Sequence, residues 1–294
     1  MKRQLKSIMK NKNSFNEILK KYLNIKSSNK IITKKVFGNH LANEVYMINI
    51  DNDNYILKKY NYDYNFNLSN RLYKIYEKNN INCIKPINKN IINVDGIKYN
   101  IFNYLNYSKG QIDDNFISNL ISIDRKVNFK PNLIDKCDLY YYYLNNLKKL
   151  SIHEEKIVLK IYNSIKFDNI FQAQYINHGD ISISNLLFQD NIPYLIDFDE
   201  AVVTTELYDF AVISVKLKTK GNKFKHEEIR QLINKLDLNY TIEEYKKSIK
   251  MYLCKILLEK FYLHEIGSIN LFDNKQKKDD YKRYIILLDD INNI

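Results

Sequence analysis

The sequence predicts an α+β protein in two parts, a small antiparallel β-sheet lobe followed by a larger, mainly helical lobe. Three observations predict it. Strand-like segments and turn clusters crowd residues 1–105. Helix-period apolar patterns fill residues 106–294, broken by one β-rich insertion at 174–197. The chain, at 294 residues, is long enough for two units of ordinary size.

The N-terminal stretch is basic, with Lys2, Arg3, Lys6, Lys10, Lys12, Lys20 and Lys21. Ile8, Phe15, Ile18, Leu19 and Leu23 recur there at broadly helical spacing, which predicts a docked terminal helix over 1–25. Strands follow at 31–37, 44–50 and 55–60, the last two separated by the turn cluster Asp51-Asn52-Asp53-Asn54. Leu68, Leu72, Ile75 and Tyr76 share one face of a helix at 67–80. A hairpin at 91–94 and 97–105 turns on Asp95-Gly96. Helices are expected near 113–125, 132–150, 153–166, 207–219, 225–236, 241–266 and 276–292.

Composition excludes several classes. Only 6 Gly and 3 Pro rule out collagen-like and Pro/Gly-rich chains. The +12 charge comes from 46 basic against 34 acidic residues, and the lysines are scattered, which describes a solvated surface. No nucleic-acid motif is present and no nucleic-acid partner is expected. No apolar run approaches the roughly 18 residues of a membrane span. Cys83, Cys137 and Cys254 form no CxxC pair, so reduced thiols in a cytoplasmic protein are expected.

The chemistry sits in His178-Gly179-Asp180 through Asp199-Glu200. Leu186 to Gln189 and Tyr194 to Ile196 are short apolar strands, and Asp190-Asn191 turns between them. An antiparallel hairpin brings Asn185 and Asp197 to one end, with Asp180 in the loop that feeds it and Asp199 close by. Such a cluster of oxygen ligands suits Mg²⁺, which takes few protein ligands plus substrate phosphates.

His-Gly-Asp-x4-Asn followed by Ile196-Asp197-Phe198-Asp199 resembles the aminoglycoside phosphotransferase-like small-molecule kinases, relatives of protein kinases that include antibiotic, homoserine and choline kinases. The resemblance implies a protein-kinase-like two-lobed fold, with ATP and Mg²⁺ as cofactors and a small-molecule hydroxyl acceptor. It implies Asp180 as catalytic base, Asn185 and Asp197 as metal ligands, and Ser182 as a hydrogen-bond donor near the nucleotide phosphates. His178 and Asp209, the latter in Tyr208-Asp209-Phe210-Ala211, are implied as supports. Asp199 is either a further metal-proximal acid or a substrate contact.

Farther upstream, Gly38 through Tyr46 is similar to the family's phosphate-covering hairpin, with Gly38 and Asn43 as its residues; a surface turn accounts for them equally. Tyr55-Ile56-Leu57-Lys58 resembles the strand that supplies the ATP lysine, so Lys58 is assigned to the phosphates, and Lys59 faces the other way. Backbone groups at Tyr104 and Leu105 are implied for adenine. The family's usual helix glutamate is missing: it is expected between Ser69 and Tyr73, and Glu77 lies too late. A kinase-like binding or spore-coat-type structural protein is therefore the alternative. Glu206, Glu243, Glu244, Glu259 and Glu265 are candidate acceptor contacts, though helical surface ion pairs explain them as well. Neither acceptor identity nor oligomeric state follows from the sequence.

Overall fold

The computed structural model describes residues 19, 22–23, 31–37, 43–51, 53–60, 66–108, 110–127, 153–165, 174–236, 238–265 and 275–294. The chain divides into two compact units, Met1–Asn67 with Cys83–Ser108, and Leu68–Asn82 with Lys109–Ile294. The helix at 132–150, Cys137, Gly38 and most of the basic N-terminal segment lie outside the described residues.

The first unit is a five-stranded antiparallel sheet. Strands β1 (Ile31–Phe37), β2 (Glu44–Ile50), β3 (Asp53–Tyr60), β4 (Ile92–Val94) and β5 (Ile97–Asn103) are ordered β1-β2-β3-β5-β4. In β2 every second residue is buried, the period of a half-covered strand. Tyr46, Ile48 and Ile50 join Leu57, Tyr99, Ile101, Ile92 and Leu19 in one core. The β4–β5 turn places Asp95 at φ 52° and Gly96 at φ 78°, the paired left-handed geometry of a tight hairpin.

Glu44 continues the buried face of β2 and stands directly opposite Lys59 on β3. Its carboxylate accepts hydrogen bonds from Lys35, from Lys59 at 2.9 Å and from the Tyr46 hydroxyl at 2.9 Å. Burial alone would raise its pKa, but the bonds from Lys35, Lys59 and Tyr46 outweigh burial and lower it to about 2.

In the second unit, α1 (Phe66–Lys78) contributes its residues from Leu68 onward. The sequence reading had placed this helix in the N-terminal lobe. Its buried Ser69, Tyr73 and Tyr76 pack around Phe198, which lies within the second unit. Helices α2 (Asp114–Ser122), α3 (His153–Ile165), α4 (Tyr208–Lys216), α5 (His226–Lys235), α6 (Ile242–Glu265) and α7 (Lys275–Asp290) make up most of the rest. In α4 every residue from Tyr208 to Val215 is buried, so that helix is central and covered on all sides, with Asp209 and Ser214 its polar members. α3, α4 and α7 pack against α6.

Two antiparallel pairs frame the insertion: β6 (Tyr175–Asn177) with β9 (Val202–Thr204), and β7 (Leu186–Gln189) with β8 (Ile192–Leu195). β9 was not anticipated. Neither was the small hairpin β10 (Thr219–Lys220) with β11 (Lys223–Phe224), which starts where the sequence pattern still reads as helix. Among the described residues no helix is long and apolar enough to cross a membrane.

Replacing Glu44 by Gln is expected to destabilise the protein at pH 7 by about 1–3 kcal/mol, because two ammonium groups lose their shared anion. The depressed pKa means that the stabilisation is complete above the ordinary value of 4.5 and is lost as pH falls toward about 2. Urea unfolding of wild type and variant is therefore expected to converge across that window.

Candidate active site

The insertion forms a closed frame. β6 pairs Asn177 with Val202 at its base, and the β7–β8 finger projects from between them. Asp190 and Asn191 turn the finger, both with positive φ as a two-residue hairpin demands. The register pairs Leu186 with Leu195, and beyond the ladder the Ile196 N–H donates to the Asn185 carbonyl at 3.1 Å. Asn185 and Asp197 thus leave the same end of the finger, offset by one position. Asp197 is exposed and sits in the left-handed region at φ 63°, ψ 69°, a conformation Asp tolerates better than most residues and one concentrated at functional loops.

Asp180 is oriented from two sides. Asn185 Nδ2 donates to its Oδ2 at 2.9 Å and to its backbone carbonyl at 2.9 Å. Lys216 Nζ lies 3.0 Å from its Oδ1, with about a third of each side chain exposed. Because Asn185 uses its NH₂ on Asp180, its amide oxygen faces elsewhere as an acceptor. Ser182 begins the short helical turn 183–185 and its hydroxyl shares a 2.8 Å bond with Ser184. Asp199 is half-buried in the turn Phe198–Glu200.

The loop backbone hangs on a buried carboxylate. Asp209 Oδ2 accepts from the His178 N–H at 2.9 Å, and Oδ1 accepts from the Gly179 N–H at 3.0 Å. Arg125, fully buried, donates to Asp209 at 2.9 Å and to Asn177 Oδ1 at 2.8 Å, and its other terminal nitrogen donates to the carbonyls of Ile121 and Glu206. His178 then ties one loop to the other. Its Nδ1 accepts from the Asp180 N–H at 3.3 Å, which places the ring proton on Nε2, 3.1 Å from the Ile196 carbonyl. Gly179 has φ +84°, and a β-carbon there would collide with the Glu200 carbonyl.

Phe198 anchors the other side. It packs on Tyr73 at 4.0 Å, on Tyr76 at 5.6 Å and on His178 at 4.6 Å between ring centroids. Its carbonyl accepts the Ser69 hydroxyl at 2.9 Å. Within the stretch Ser69 to Tyr73, where a glutamate was expected, the helix buries Ser69, whose hydroxyl turns toward the Phe198 backbone, with Leu72 and Tyr73. Tyr252 lies within reach of the Asp180 charge; burial first, then Tyr208 and Asp180, push its phenol well above the ordinary pKa, so it stays neutral.

In the first unit, Lys58 is buried on β3, opposite Val45 and Asn100, with its ammonium 5.5 Å from the Tyr60 ring centre. Strand alternation puts it on the face away from Lys59, which Glu44 holds. Asn43 is buried just before β2. The Tyr104 N–H donates to the Asn54 carbonyl at 3.3 Å.

Sequence reasoning missed Arg125 and Lys216. Neither carries a local signal: each is a lone basic residue in a chain with 46 of them, and only tertiary packing singles it out. The glutamates weighed as acceptor contacts are mostly committed. Glu206 accepts from Tyr240 at 2.8 Å, Glu244 caps α6 through Thr241, and Glu243 pairs with Lys246.

Residues 168–232 match the model of the phosphotransferase enzyme family. No curated protein sequence matches the chain. Solved structures share its fold across nearly the whole length. A spectinomycin phosphotransferase in complex with ADP and spectinomycin is 14% identical, with 94% of this chain and 93% of that one covered and a TM-score of 0.57. The choline kinase of Streptococcus pneumoniae is 13% identical, with 95% and 99% covered and a TM-score of 0.62. An amicoumacin kinase in complex with AMP-PNP and Ca²⁺ is 10% identical, with 89% and 88% covered and a TM-score of 0.57. The fold is that of the aminoglycoside phosphotransferases and choline kinases, as the sequence resemblance implied.

Removing the carboxylate by Asp209→Ala would leave the buried Arg125 guanidinium and two loop N–H groups without their acceptor. A loss of about 3–5 kcal/mol in urea unfolding is expected. Asp209→Asn keeps one acceptor oxygen and is expected to lose less.

Proposed function

We propose that the protein is a small-molecule kinase that moves the γ-phosphoryl group of ATP to a hydroxyl of its acceptor. The observation that carries this reading is the Asp180 carboxylate. It is fixed by Asn185 on a loop pinned by Asp209, beside a finger that delivers Asp197, in a fold shared with enzymes of this class.

Among the described residues no group of three or more His, Cys, Asp and Glu could hold a metal ion by itself. One amide oxygen and one carboxylate, Asn185 and Asp197, suit Mg²⁺, which completes its shell with water and substrate phosphate oxygens. When bound, Mg²⁺ supplies charge neutralisation at those phosphates. Lys58 is assigned to the nucleotide phosphates, because its neighbour Lys59 is held by Glu44 and because its strand position resembles that of the ATP lysine. Tyr104 and Leu105 are assigned to the adenine edge, Gly38 and Asn43 to the phosphate-covering hairpin, and Ser182 to a phosphate oxygen.

In the reaction the acceptor oxygen bonds to the γ-phosphorus as the bond to the ADP oxygen breaks, and the hydroxyl proton passes to Asp180. Asn185 and Lys216 hold the Asp180 carboxylate in place for that transfer, which lowers the reorganisation needed at the transition state. His178 and Asp209 act by holding the loop, not by touching substrate.

One observation favours a second reading, a kinase-like binding protein with little turnover. The buried face of α1 offers Ser69, Leu72, Tyr73 and Tyr76 and no carboxylate to orient a lysine.

Turnover of Mg·ATP against a panel of hydroxyl acceptors, read by mass spectrometry, decides between the two. Asp180→Ala is expected to lower turnover about 10²–10⁴-fold while nucleotide binding and the circular dichroism spectrum are retained. Undiminished turnover in that variant would remove Asp180 as the base.

A further inference from the structure

We infer that the acceptor is a hydroxyl compound bearing an anionic group, a carboxylate or a phosphate monoester, close to the hydroxyl, and that Lys216 recognises that anion. This rests on the kinase reading above and names the substrate class of the same site.

The Asp180–Lys216 pair carries the inference. Asp180 gives Oδ2 to Asn185 and Oδ1 to the Lys216 ammonium, 3.0 Å away. A hydroxyl that hands its proton to this carboxylate comes within about two hydrogen-bond lengths, roughly 5 Å, of that ammonium, whichever oxygen it approaches. Substituents next to the hydroxyl therefore lie within reach of the Lys216 ammonium. A carboxylate or phosphate there shares that ammonium with Asp180 Oδ1 in a charge-assisted contact, which a cationic substituent has no means to make. About a third of each side chain is exposed, so the pair opens toward solvent, the direction from which an acceptor arrives.

The surroundings agree. Lys216 and Ile183, the latter exposed on the loop after Asp180, line an open pocket of about 480 Å³ with Ile117, Lys218, Lys225 and Glu228. That volume suits a small metabolite. The pocket lining holds three lysines and one carboxylate. Lys218 is tied to Asp114 and Glu228, and Lys225 to Glu228. Lys216 has Asp180 as its only carboxylate among the described residues, so it is the pocket's cation without a purely structural partner. Three of the five glutamates weighed as acceptor contacts are engaged elsewhere, Glu206 by Tyr240, Glu243 by Lys246 and Glu244 by Thr241.

The test compares glycerate, glycerol 3-phosphate, glycerol and choline as acceptors for the full chain with Mg·ATP. Calorimetric binding of each in the presence of Mg·AMP-PNP is the second readout. Wild type is expected to bind and use glycerate or glycerol 3-phosphate at least about tenfold better than choline. The two anionic arms distinguish carboxylate from phosphate recognition. Lys216→Met is expected to lower kcat for every acceptor, because Lys216 also positions Asp180, but to raise KM and Kd about tenfold for the preferred anion alone, a binding loss that Lys216→Arg rescues. Preference for choline, or a Lys216→Met effect equal for all acceptors and confined to kcat, overturns the inference; the latter would make Lys216 a positioning residue only. Transfer to choline alone would leave the kinase reading standing. Binding of the anion that depends on Lys216, without transfer to any acceptor, would sustain the inference and overturn the kinase reading.

Discussion

The geometry of the site depends on one buried carboxylate. Asp209 accepts the N–H groups of His178 and Gly179 and is itself neutralised by the fully buried Arg125. Either half alone would be a liability in a low-dielectric interior. Together they turn a flexible three-residue link into a fixed platform. Arg125 spreads the constraint, because its hydrogen bonds reach Asn177 at the end of β6 and the carbonyls of Ile121 and Glu206. The loop before Asp180, the end of α2 and the approach to α4 therefore share one electrostatic knot. Asp180 is aimed by what lies behind it, and only afterwards by Asn185 and Lys216.

The two units solve the problem of buried charge differently. In the sheet, Glu44 replaces an apolar residue at the end of the core face and is covered by two lysines and a tyrosine, all within reach of bulk water at the sheet end. In the helical unit the Arg125–Asp209 pair is sealed, and Arg125 also donates to Asn177 Oδ1 and to the carbonyls of Ile121 and Glu206. Strand alternation puts the two adjacent lysines on opposite faces of β3, and the Glu44 cluster engages Lys59.

Much of this was legible in the sequence where the signal is local. The turns at Asp95-Gly96 and Asp190-Asn191 carry their own left-handed preferences, so both hairpins could be placed to within a residue or two. Period-two burial in β2 and the apolar spacing of α1 were equally readable. The string from His178 to Asp199 locates the site because its spacing follows from a loop feeding a short finger. What could not be read is what comes together through packing. Arg125 and Lys216 look like any other basic residue, and β9 is too short to announce itself. Ser69 begins the stretch where an acid was expected, and its partner, a backbone carbonyl 129 residues away, has no sequence signature. Strand register also refined the finger: Asn185 faces Ile196, and Asp197 follows one step beyond.

The contact at Gly179 has a wider consequence. Its α-carbon lies so close to the Glu200 carbonyl that even a methyl group has no room, which means that the two segments leaving β6 and entering β9 touch backbone to backbone. No side chain lies between them to act as a hinge or a cushion. The Asp180 loop and the Asp197 loop are therefore in direct contact, so a shift of one is passed straight to the other.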